Sequence, residues 1–331
     1  MRRLLLRLDA NHEIGLGHAI RVAGILSLMK TGHRVTVAGE GTLLQAFFPG
    51  AEFLDMPKDN RNLFFALAEK VRPDLVVVDH PRPGEGFWER LAESPFPVIA
   101  IDDEGGKVDA DFIVNGTVLD EYHTYPNLRP GAELYCGTQY SLIRPAFGQS
   151  CWQDPAQPRV LIVAGSGDRA KDWALHLVSG QVDMTGWGQV SMVVGRAFPE
   201  MERLKRGCES LGIALDSNLS GEEMANRMSH VTAALLTGGM VVYEALAVGV
   251  PAVVFPQIGN LVPEAAWFEE RRCISNLGND GGMDGALVSE KVHALLDSPP
   301  LRRAMSSAAR TIVDGRGMQR AAEIFDRVLG K

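Results

Sequence analysis

The sequence predicts an α/β fold made of two doubly wound domains, each built on a mostly parallel sheet. Short β-branched or aliphatic runs alternate with longer segments of helical period along the chain. These runs are apolar on both faces, as in parallel strands that are covered by helices on each side. A stretch without periodicity, "PAFGQSCWQDPAQP", contains three prolines and divides the chain into two parts of similar size.

Nine runs are predicted to be strands. In the first half they are "LLLRLD", "HRVTVAG", "LVVVDH", "PVIAID" and "DFIVNG", and in the second half "RVLIVAG", "VSMVVG", "TAALLTGG" and "PAVVFPQ". The final stretch, which begins at "PPLRRAM", has helical period with a Gly-Arg-Gly break and predicts two helices. The expected domains are therefore 1–148 and 158–331, joined by a linker at 149–157.

Length and composition limit the classes of function. The chain has 331 residues, 46% of them hydrophobic, which is enough to form a core in each of two domains. Its formal charge of -8 comes without a basic stripe, so neither nucleic acid nor anionic lipid is an expected partner. No apolar stretch approaches the roughly 20 residues that span a bilayer, and the amino-terminal residues predict a strand and not a signal peptide. The cysteines lack metal-ligand spacing, which favours a soluble protein in a reducing cytoplasm: Cys136, Cys151, Cys208 and Cys273.

A glycine loop follows the first predicted strand. In "NHEIGLGH", Gly15 and Gly17 lie before a segment of helical period that His18 begins. Such a loop places helix N–H groups and the positive end of the helix dipole where an anion can approach the backbone. Two other interpretations fit the loop by itself. One is a tight turn that needs positive φ. The other is a dinucleotide-binding fingerprint, which gains support from Glu40 but lacks its third glycine because Ile20 stands there.

A second glycine pair, Gly238-Gly239, also lies between a predicted strand and a predicted helix, in "TGGMVVYEALAVGVP". A diphosphate can rest on such a helix start, and the carboxylate of Glu244 can accept hydrogen bonds from ribose hydroxyls. Gly165 and Ser166, in "VAGSGDR", form another turn at a strand end, and they do not match the nucleophile elbow of serine hydrolases. Because ligands bind beyond the carboxyl ends of strands in open α/β sheets, both loops are expected to face one crevice.

These landmarks resemble the UDP-sugar hydrolases of pseudaminic acid biosynthesis. The segment "RLDANHEIGLGHAIR" is similar to the opening of that family, and "GGMVVYEALAVGVP" to its second glycine motif. Further matches follow in order: "VVVDH", "IDDEGG", "ADFIVNGT", "YCGTQYSLIRPAF" and "MSSAARTIVDGRGMQRA". The resemblance covers nearly the whole chain, and it extends to spore-coat glycosyltransferases and the lipid II N-acetylglucosaminyltransferase. It implies the GT-B fold, in which two Rossmann-like domains face each other across a cleft and the carboxy-terminal one binds the nucleotide.

The resemblance also implies an inverting hydrolysis of a nucleotide sugar, without a metal ion or any other cofactor. His18 is then the base that activates water. Asp9, at the end of the first strand, is expected either to orient that imidazole or to cap a turn. Asp102 and Asp103 are adjacent, but they lack the further ligands of a magnesium site. The implied contacts to the sugar and nucleotide come from Gly15, Gly17, Arg21, His80, Asn115, Gly165, Ser166, Gly238, Gly239, Glu244 and Asn260.

The chain departs from the family pattern mainly at the second glycine motif. Met240 and Val241 replace the usual Ser-Thr, Tyr243 replaces a tryptophan, Leu261 replaces a glutamine, and Pro81 replaces a tyrosine. These changes remove hydroxyl and amide donors around the expected diphosphate and sugar. Three functions therefore stay open. They are a hydrolase of a nucleotide-linked amino-deoxy sugar, a GT-B glycosyltransferase of surface polysaccharide or flagellar glycan assembly, and a non-catalytic sugar-nucleotide binding protein.

Overall fold

All nine predicted strands form, and they belong to two separate parallel sheets. The structure is a computed structural model. Apart from the side chains at 168 and 169, it describes residues 1–10, 15–41, 43–56, 60–80, 83–165, 168–195, 198–257, 259, 261–278 and 283–330. Contacts divide the chain into unit 1, residues 1–142 with 316–331, and unit 2, residues 143–315.

Unit 1 opens with alternating strands and helices. They are β1 (Arg2–Leu8), α1 (Gly17–Leu28), β2 (His33–Gly39), α2 (Leu44–Phe47), β3 (Glu52–Asp55), α3 (Arg61–Val71), β4 (Leu75–Asp79), α4 (Phe87–Ala92), β5 (Val98–Ile101), β6 (Phe112–Asn115) and β7 (Glu133–Cys136). Short 3₁₀ turns lie at Asp120–His123 and Thr138–Tyr140. Over the described residues the strands form one parallel sheet in the order β3-β2-β1-β4-β5-β6-β7. The order reverses between β1 and β4, which is where such sheets bind ligands.

Unit 2 repeats this design. Its elements are α5 (Pro145–Gly148), β8 (Arg159–Val163), α6 (Asp168–Leu177), β9 (Gln189–Val194), α7 (Met201–Leu211), β10 (Ala214–Ser217), α8 (Gly221–Ser229), β11 (Ala233–Leu236), α9 (Met240–Val248), β12 (Ala252–Val254), α10 (Leu261–Glu270), β13 (Ser275–Asn276), α11 (Gly285–Asp297) and α12 (Pro299–Ile312). The sheet order across the described part of the chain is β10-β9-β8-β11-β12-β13, with its reversal between β8 and β11.

The central strand β1 shows why the apolar runs fold as they do. Leu4, Leu6 and Leu8 are buried in a core with α1, while Leu5 lies in the core on the opposite face, with Phe64 and other aromatic side chains. Alternate residues of a strand point to opposite faces, so a strand covered on both sides is mainly apolar. The exception within the buried part of β1 is Arg7, which pairs with Asp9. None of the helices in the described ranges is long and apolar enough to cross a membrane.

The last helix, α13 (Gly317–Gly330), belongs to unit 1, whereas the sequence analysis placed it in a carboxy-terminal domain. Its apolar face, including Met318 and Phe325, is buried in the core that contains α1. Gly24 of α1 makes the close approach possible, because a Cβ there would lie 2.4 Å from the sulfur of Met318. The predicted boundaries differ from the structure at the start as well, since unit 2 begins at Ile143. Periodicity detects a helix, but it does not reveal which sheet the helix covers.

Candidate active site

The polar residues of unit 1 gather where the strand order reverses. Asp9 follows β1, Asp79 ends β4, and His80 is the next residue, while His18 lies in the first turn of α1. Strands β1 and β4 are neighbours, with Leu8 paired to Asp79. Parallel neighbours present their carboxyl ends at the same edge of the sheet, so all four residues lie at this edge.

His18 forms a pair with Asp79. Its Nδ1 lies 2.6 Å from Oδ1 of Asp79, a carboxylate that is fully buried. An ionised carboxylate only accepts hydrogen bonds, so Nδ1 carries the proton and Nε2 is the basic nitrogen of the neutral ring. The imidazole is 17% exposed. This arrangement can take a proton from a bound water through Nε2.

Arg21 braces this pair from the next turn of α1, three residues after His18. Its Nε and Nη2 donate to the two oxygens of Asp79 at 2.7 and 2.5 Å, and its Nη1 donates to both oxygens of Asp103 at 2.8 Å. Burial raises the pKa of Asp79, but Arg21 and His18 outweigh it and hold that pKa well below its usual range. Burial lowers the pKa of the Arg21 guanidinium, and the carboxylates of Asp103 and Asp79 raise it further than burial lowers it. Both groups are therefore charged, and the geometry gives Arg21 a bracing role where the sequence analysis expected contact with the ligand.

Asp9 does not contact His18, so of its two expected roles the structure contradicts the orientation of this ring and fits the structural one. Its Oδ2 lies 2.7 Å from Nε2 of His80, and its Oδ1 accepts from the Glu40 amide at 2.8 Å and from Arg7 at 2.5 Å. Burial raises the pKa of Asp9, but the hydrogen bonds from His80 and Arg7 bring it down to about 2. The reason is the pleat: Asp79 lies opposite Leu8 and faces α1, whereas Asp9 and His80 are each one residue further and face the other side.

His80 and Asn115 were expected at the sugar, and the structure buries both. The His80 ring is 3% exposed, against Asp9. Asn115 donates to the carbonyl of Tyr122 at 2.9 Å and to the hydroxyl of Tyr125 at 2.8 Å. Both side chains therefore stabilise the loops that follow β4 and β6.

Asp102 lies in the same hydrogen-bond network as Asn115 and Tyr125. Its Oδ2 accepts from the Gly105 amide at 2.6 Å and from the Tyr125 hydroxyl at 2.9 Å. Burial is the main cause that raises the pKa of Asp102 to about 6, in spite of these hydrogen bonds. No group of three or more His, Cys, Asp or Glu residues in the described ranges is arranged to hold a metal ion.

The glycine pair of unit 2 lies at the corresponding reversal of its sheet. Gly238 and Gly239 connect β11 to α9 with φ angles of +85° and +79°, a conformation that L side chains rarely adopt. Gly165 follows β8, the neighbouring strand. The start of α9, with the positive end of the helix dipole, therefore lies at this turn. Leu261 packs beside it, since a Cβ at Gly238 would come within 3.1 Å of the Leu261 Cδ1. Ser166 and Asn260, the other predicted contacts in this unit, lie outside the described residues.

Glu244 is buried on α9 and pairs with Arg144. Nε of Arg144 donates to Oε1 at 3.0 Å and Nη2 donates to Oε2 at 3.2 Å. Burial raises the pKa of Glu244, and Arg144 opposes this rise. Leu261 and Tyr243, two of the departures from the family pattern, line a small pocket beside the glycine pair. The Tyr243 hydroxyl donates to Glu264 at 2.5 Å, so it braces α10 against α9.

In unit 1, Gly15 and Gly17 lie at the entrance to α1. Gly15 has φ +85° and therefore needs glycine, while Gly17 is the first residue of the helix and is exposed. A Cβ at either position would meet no atom within 4 Å.

Comparisons with known proteins support this architecture. No protein-family model matches the chain. It is 23% identical to the spore coat polysaccharide biosynthesis protein SpsG of Bacillus subtilis over 333 residues, 96% of each protein. Among solved structures it is similar to MurG of Acinetobacter baumannii, with a TM-score of 0.68, 13% identity and coverage of 99% and 100% of the two chains. It is also similar to the calicheamicin glycosyltransferase CalG4, with a TM-score of 0.62, 18% identity and coverage of 100% and 99%. It is similar as well to the UDP-GlcNAc 2-epimerase of Neisseria meningitidis, with a TM-score of 0.63, 12% identity and coverage of 98% and 100% of the two chains. The two-domain GT-B fold expected from the sequence is thereby confirmed.

Proposed function

We propose that this chain, an SpsG-like protein of GT-B fold, is an enzyme that hydrolyses a nucleotide sugar, with His18 as the base. The observation that carries the proposal is the pair of His18 and the buried Asp79, at the point of unit 1 where the strand order reverses. The pair fixes the proton on Nδ1 and directs Nε2 away from the carboxylate. An imidazole in this state is a competent base for water near neutral pH.

The proposed reaction is a direct displacement at the anomeric carbon. The oxygen of water forms a bond to that carbon while the bond from the carbon to the diphosphate oxygen breaks. Nε2 of His18 takes the proton from the water, and the diphosphate leaves with the electron pair, so the configuration is inverted. Asp79 stabilises the imidazolium that forms, and Arg21 keeps Asp79 ionised and in place.

Unit 2 supplies the nucleotide site in this proposal. The start of α9 at Gly238 and Gly239 receives the negative charge that grows on the leaving diphosphate. Glu244 accepts hydrogen bonds from the ribose. The substrate class is a nucleoside diphosphate linked to an amino-deoxy sugar of nonulosonic, pseudaminic-type biosynthesis, which rests on the resemblance of the motifs. No metal ion takes part in the proposed step.

A glycosyltransferase is the second candidate, because two of the structural neighbours are MurG and a glycosyltransferase. The same base would then take the proton from a sugar hydroxyl in place of water. The two functions differ in what releases the nucleotide. A hydrolase releases it with water alone, whereas a transferase releases it rapidly only when an acceptor is present.

The test is a panel of UDP-, GDP- and CMP-sugars, each incubated with and without a polysaccharide acceptor, with free sugar and nucleotide measured by chromatography. We expect release without acceptor, unchanged by a chelator. His18→Asn should lower turnover by about 10²- to 10⁴-fold, the usual contribution of a general base, with nucleotide binding retained.

The matched control is His33→Asn, since His33 lies at the opposite end of the same sheet, where β2 begins. This variant should keep full activity. Full activity in His18→Asn would exclude the base assignment, and release that depends on an acceptor would favour the transferase. Saturable binding of a nucleotide sugar without release of nucleotide in any reaction would favour a non-catalytic binding protein.

A further inference from the structure

A second cavity of unit 2 lies away from the glycine pair, at the amino-terminal edge of the sheet. It forms where α8 ends beside the first residues of β8 and β9. Its volume is about 470 Å³, which is the size of a small-molecule site. The wall includes the polar side chains of Arg159, Gln189, Ser191, Asp216, Asn226 and Arg227.

The strand register places polar residues of this wall on one face of the sheet. Arg159 pairs with Gln189, and Ser191 lies two residues further along β9. The alternate residues Val160 and Val190 belong to the hydrophobic core on the opposite face. Both faces of a parallel sheet are normally covered and apolar, so this corner departs from the pattern of the rest of the sheet. Local departures of this kind are expected at functional sites.

Arg159 offers the cavity a guanidinium that the described part of the chain does not use. Its backbone is fixed, because its amide donates to the Thr232 hydroxyl at 3.0 Å and its carbonyl accepts from the Thr232 amide at 2.8 Å. Among the residues that the structure describes, none accepts a hydrogen bond from the side chain of Arg159. The N–H donors of this guanidinium are therefore available to a ligand.

Arg227 lines the same cavity from the last turn of α8. Its Nη1 donates to Oδ2 of Asp216 on β10, and this contact orients the guanidinium. Its Nε and Nη2 donate to no other described residue. Two arginines outweigh one aspartate in the wall, although the whole chain carries a formal charge of -8. The cavity is therefore a locally positive site on an acidic protein, and it favours an anion.

The rest of the wall favours a ligand that is rich in hydrogen-bond acceptors. Gln189, Ser191 and Asn226 each carry a side-chain donor. Among the described residues of the wall, only Ala214 and Val231 are apolar, so an apolar ligand would gain little. The two arginines come from different elements, β8 and α8. A tetrahedral phosphate can accept from both of them, whereas a planar carboxylate presents one edge to one arginine fork.

From this geometry we propose that the cavity binds the phosphate group of a small phosphorylated ligand, with Arg159 and Arg227 as its two charged donors. The site is separate from the one proposed at the glycine pair. Arg159 begins β8, whereas Gly165 and Gly238 follow the carboxyl ends of β8 and β11. The two ends of β8 are about 13 Å apart at the usual rise per residue. Binding at this cavity is therefore independent of the nucleotide site in the proposed function.

The experiment titrates the full chain with inorganic phosphate and, separately, with glucose 6-phosphate, by calorimetry in a buffer without other multivalent anions. We expect both probes to bind with a dissociation constant of about 1 mM or below. Tighter binding of glucose 6-phosphate would identify a sugar phosphate as the ligand, and equal binding would identify phosphate itself. Arg159→Gln and Arg227→Gln should each weaken both probes by about tenfold, because each removes hydrogen bonds to a charged group.

Arg271→Gln is the matched control. Arg271 is an exposed arginine of the same unit that stacks on Trp267, and it does not line the cavity. The variant removes the same charge and should change the affinity for phosphate by no more than about twofold, since salt screens a distant exposed charge. Thermal unfolding of every variant without phosphate checks that it is folded.

Three results would overturn the phosphate site. The first is a wild type that binds neither probe. The second is unchanged affinity in both Arg159→Gln and Arg227→Gln, because the anion would then be bound elsewhere on the protein. The third is an equal loss of affinity in these variants and in Arg271→Gln, because the loss would then follow from the net charge and not from the cavity.

Discussion

Replacement of Asp79 by Asn tests the central pair of unit 1 with a side chain of nearly the same shape. In the wild type, Oδ1 accepts from His18 and from Arg21, and Oδ2 accepts from Arg21. An amide has one oxygen and one NH₂ group, so one of these positions becomes a donor. If the NH₂ group faces Nε of Arg21, two donors meet in a buried place. The alternative places it toward His18, whose Nδ1 must then accept, and the NH₂ group then also faces Nη2 of Arg21.

The second arrangement moves the ring proton to Nε2, the nitrogen that takes the proton from water in the proposed reaction. We therefore expect Asp79→Asn to lower kcat by about 10²- to 10⁴-fold, which is about 3 to 5 kcal/mol of barrier. Removal of one partner from a buried pair also destabilises a fold by about 3 to 5 kcal/mol. Arg21 keeps Asp103, so the lower end of that range is expected.

The assay measures kcat and KM for sugar release with the best substrate of the panel, together with urea unfolding. Asp103→Asn is the control, because Asp103 contacts the same Arg21, is 39% exposed and does not touch His18. It should cost no more than about 1 kcal/mol of stability and should change kcat only a few-fold. The reasoning is refuted if Asp79→Asn keeps its kcat while folded, or if both variants lose it equally.

Two further predictions concern stability. The pKa of about 6 at Asp102, raised mainly by burial, means that the folded state binds one more proton than the unfolded state between about pH 4 and pH 6. Stability should therefore fall by up to about 3 kcal/mol as the pH rises through that window. Unfolding curves of Asp102→Asn at pH 5 and pH 7.5 should not show this fall in the free energy of unfolding. The same pH dependence of stability in the wild type and in Asp102→Asn would contradict this prediction. Gly39→Ala should destabilise by about 3 kcal/mol or more, since its Cβ would lie 1.8 Å from the Leu8 carbonyl oxygen, whereas Gly32→Ala, with no atom within 4 Å, should be nearly neutral in thermal unfolding.

The strands that the sequence pattern detects differ from those that it misses in how deeply they are buried. The nine predicted strands include the interior strands of both sheets, whose residues are apolar at nearly every position because helices cover both faces. The missed strands are β3, β7, β10 and β13, and they lie at the four sheet edges. Their residues are mostly half-buried or exposed, so polar side chains are allowed and the continuous apolar run disappears. The sequence pattern also does not show which sheet α13 covers, since an amphipathic helix can pack on either sheet.

The candidate site was predicted in part, for a similar reason. Glycine loops between strand and helix are local features, so the sequence identifies His18, Gly238 and Gly239 as neighbours of two possible ligand sites. The partner of His18 is a non-local feature, set by the pairing of Leu8 with Asp79. A shift of one residue in the register of β1 would place Asp9 on the side of the sheet that faces His18. The sequence alone does not show which residues of the strand face which side. The Arg144 pair crosses 100 residues and is equally beyond a local pattern.

Unit 1 contains two histidine–aspartate pairs of nearly equal length, His18–Asp79 at 2.6 Å and His80–Asp9 at 2.7 Å, so a short contact alone does not identify the base. Access favours His18 as the proposed base, because its ring is 17% exposed and the ring of His80 is 3% exposed. Asp79 must also stay ionised in its buried place, because only the ionised carboxylate holds the proton on Nδ1 and stabilises the imidazolium that forms in the proposed reaction.

Arg21 meets that requirement with a fork of Nε and Nη2 on the two oxygens of Asp79, and Arg144 repeats the same fork on Glu244. In each unit a buried acid next to the strand reversal is thus paired with an arginine. In unit 1 the acid also lies 2.6 Å from His18, the base of the proposed reaction. The same arrangement therefore recurs at both proposed sites, the base in unit 1 and the nucleotide site in unit 2.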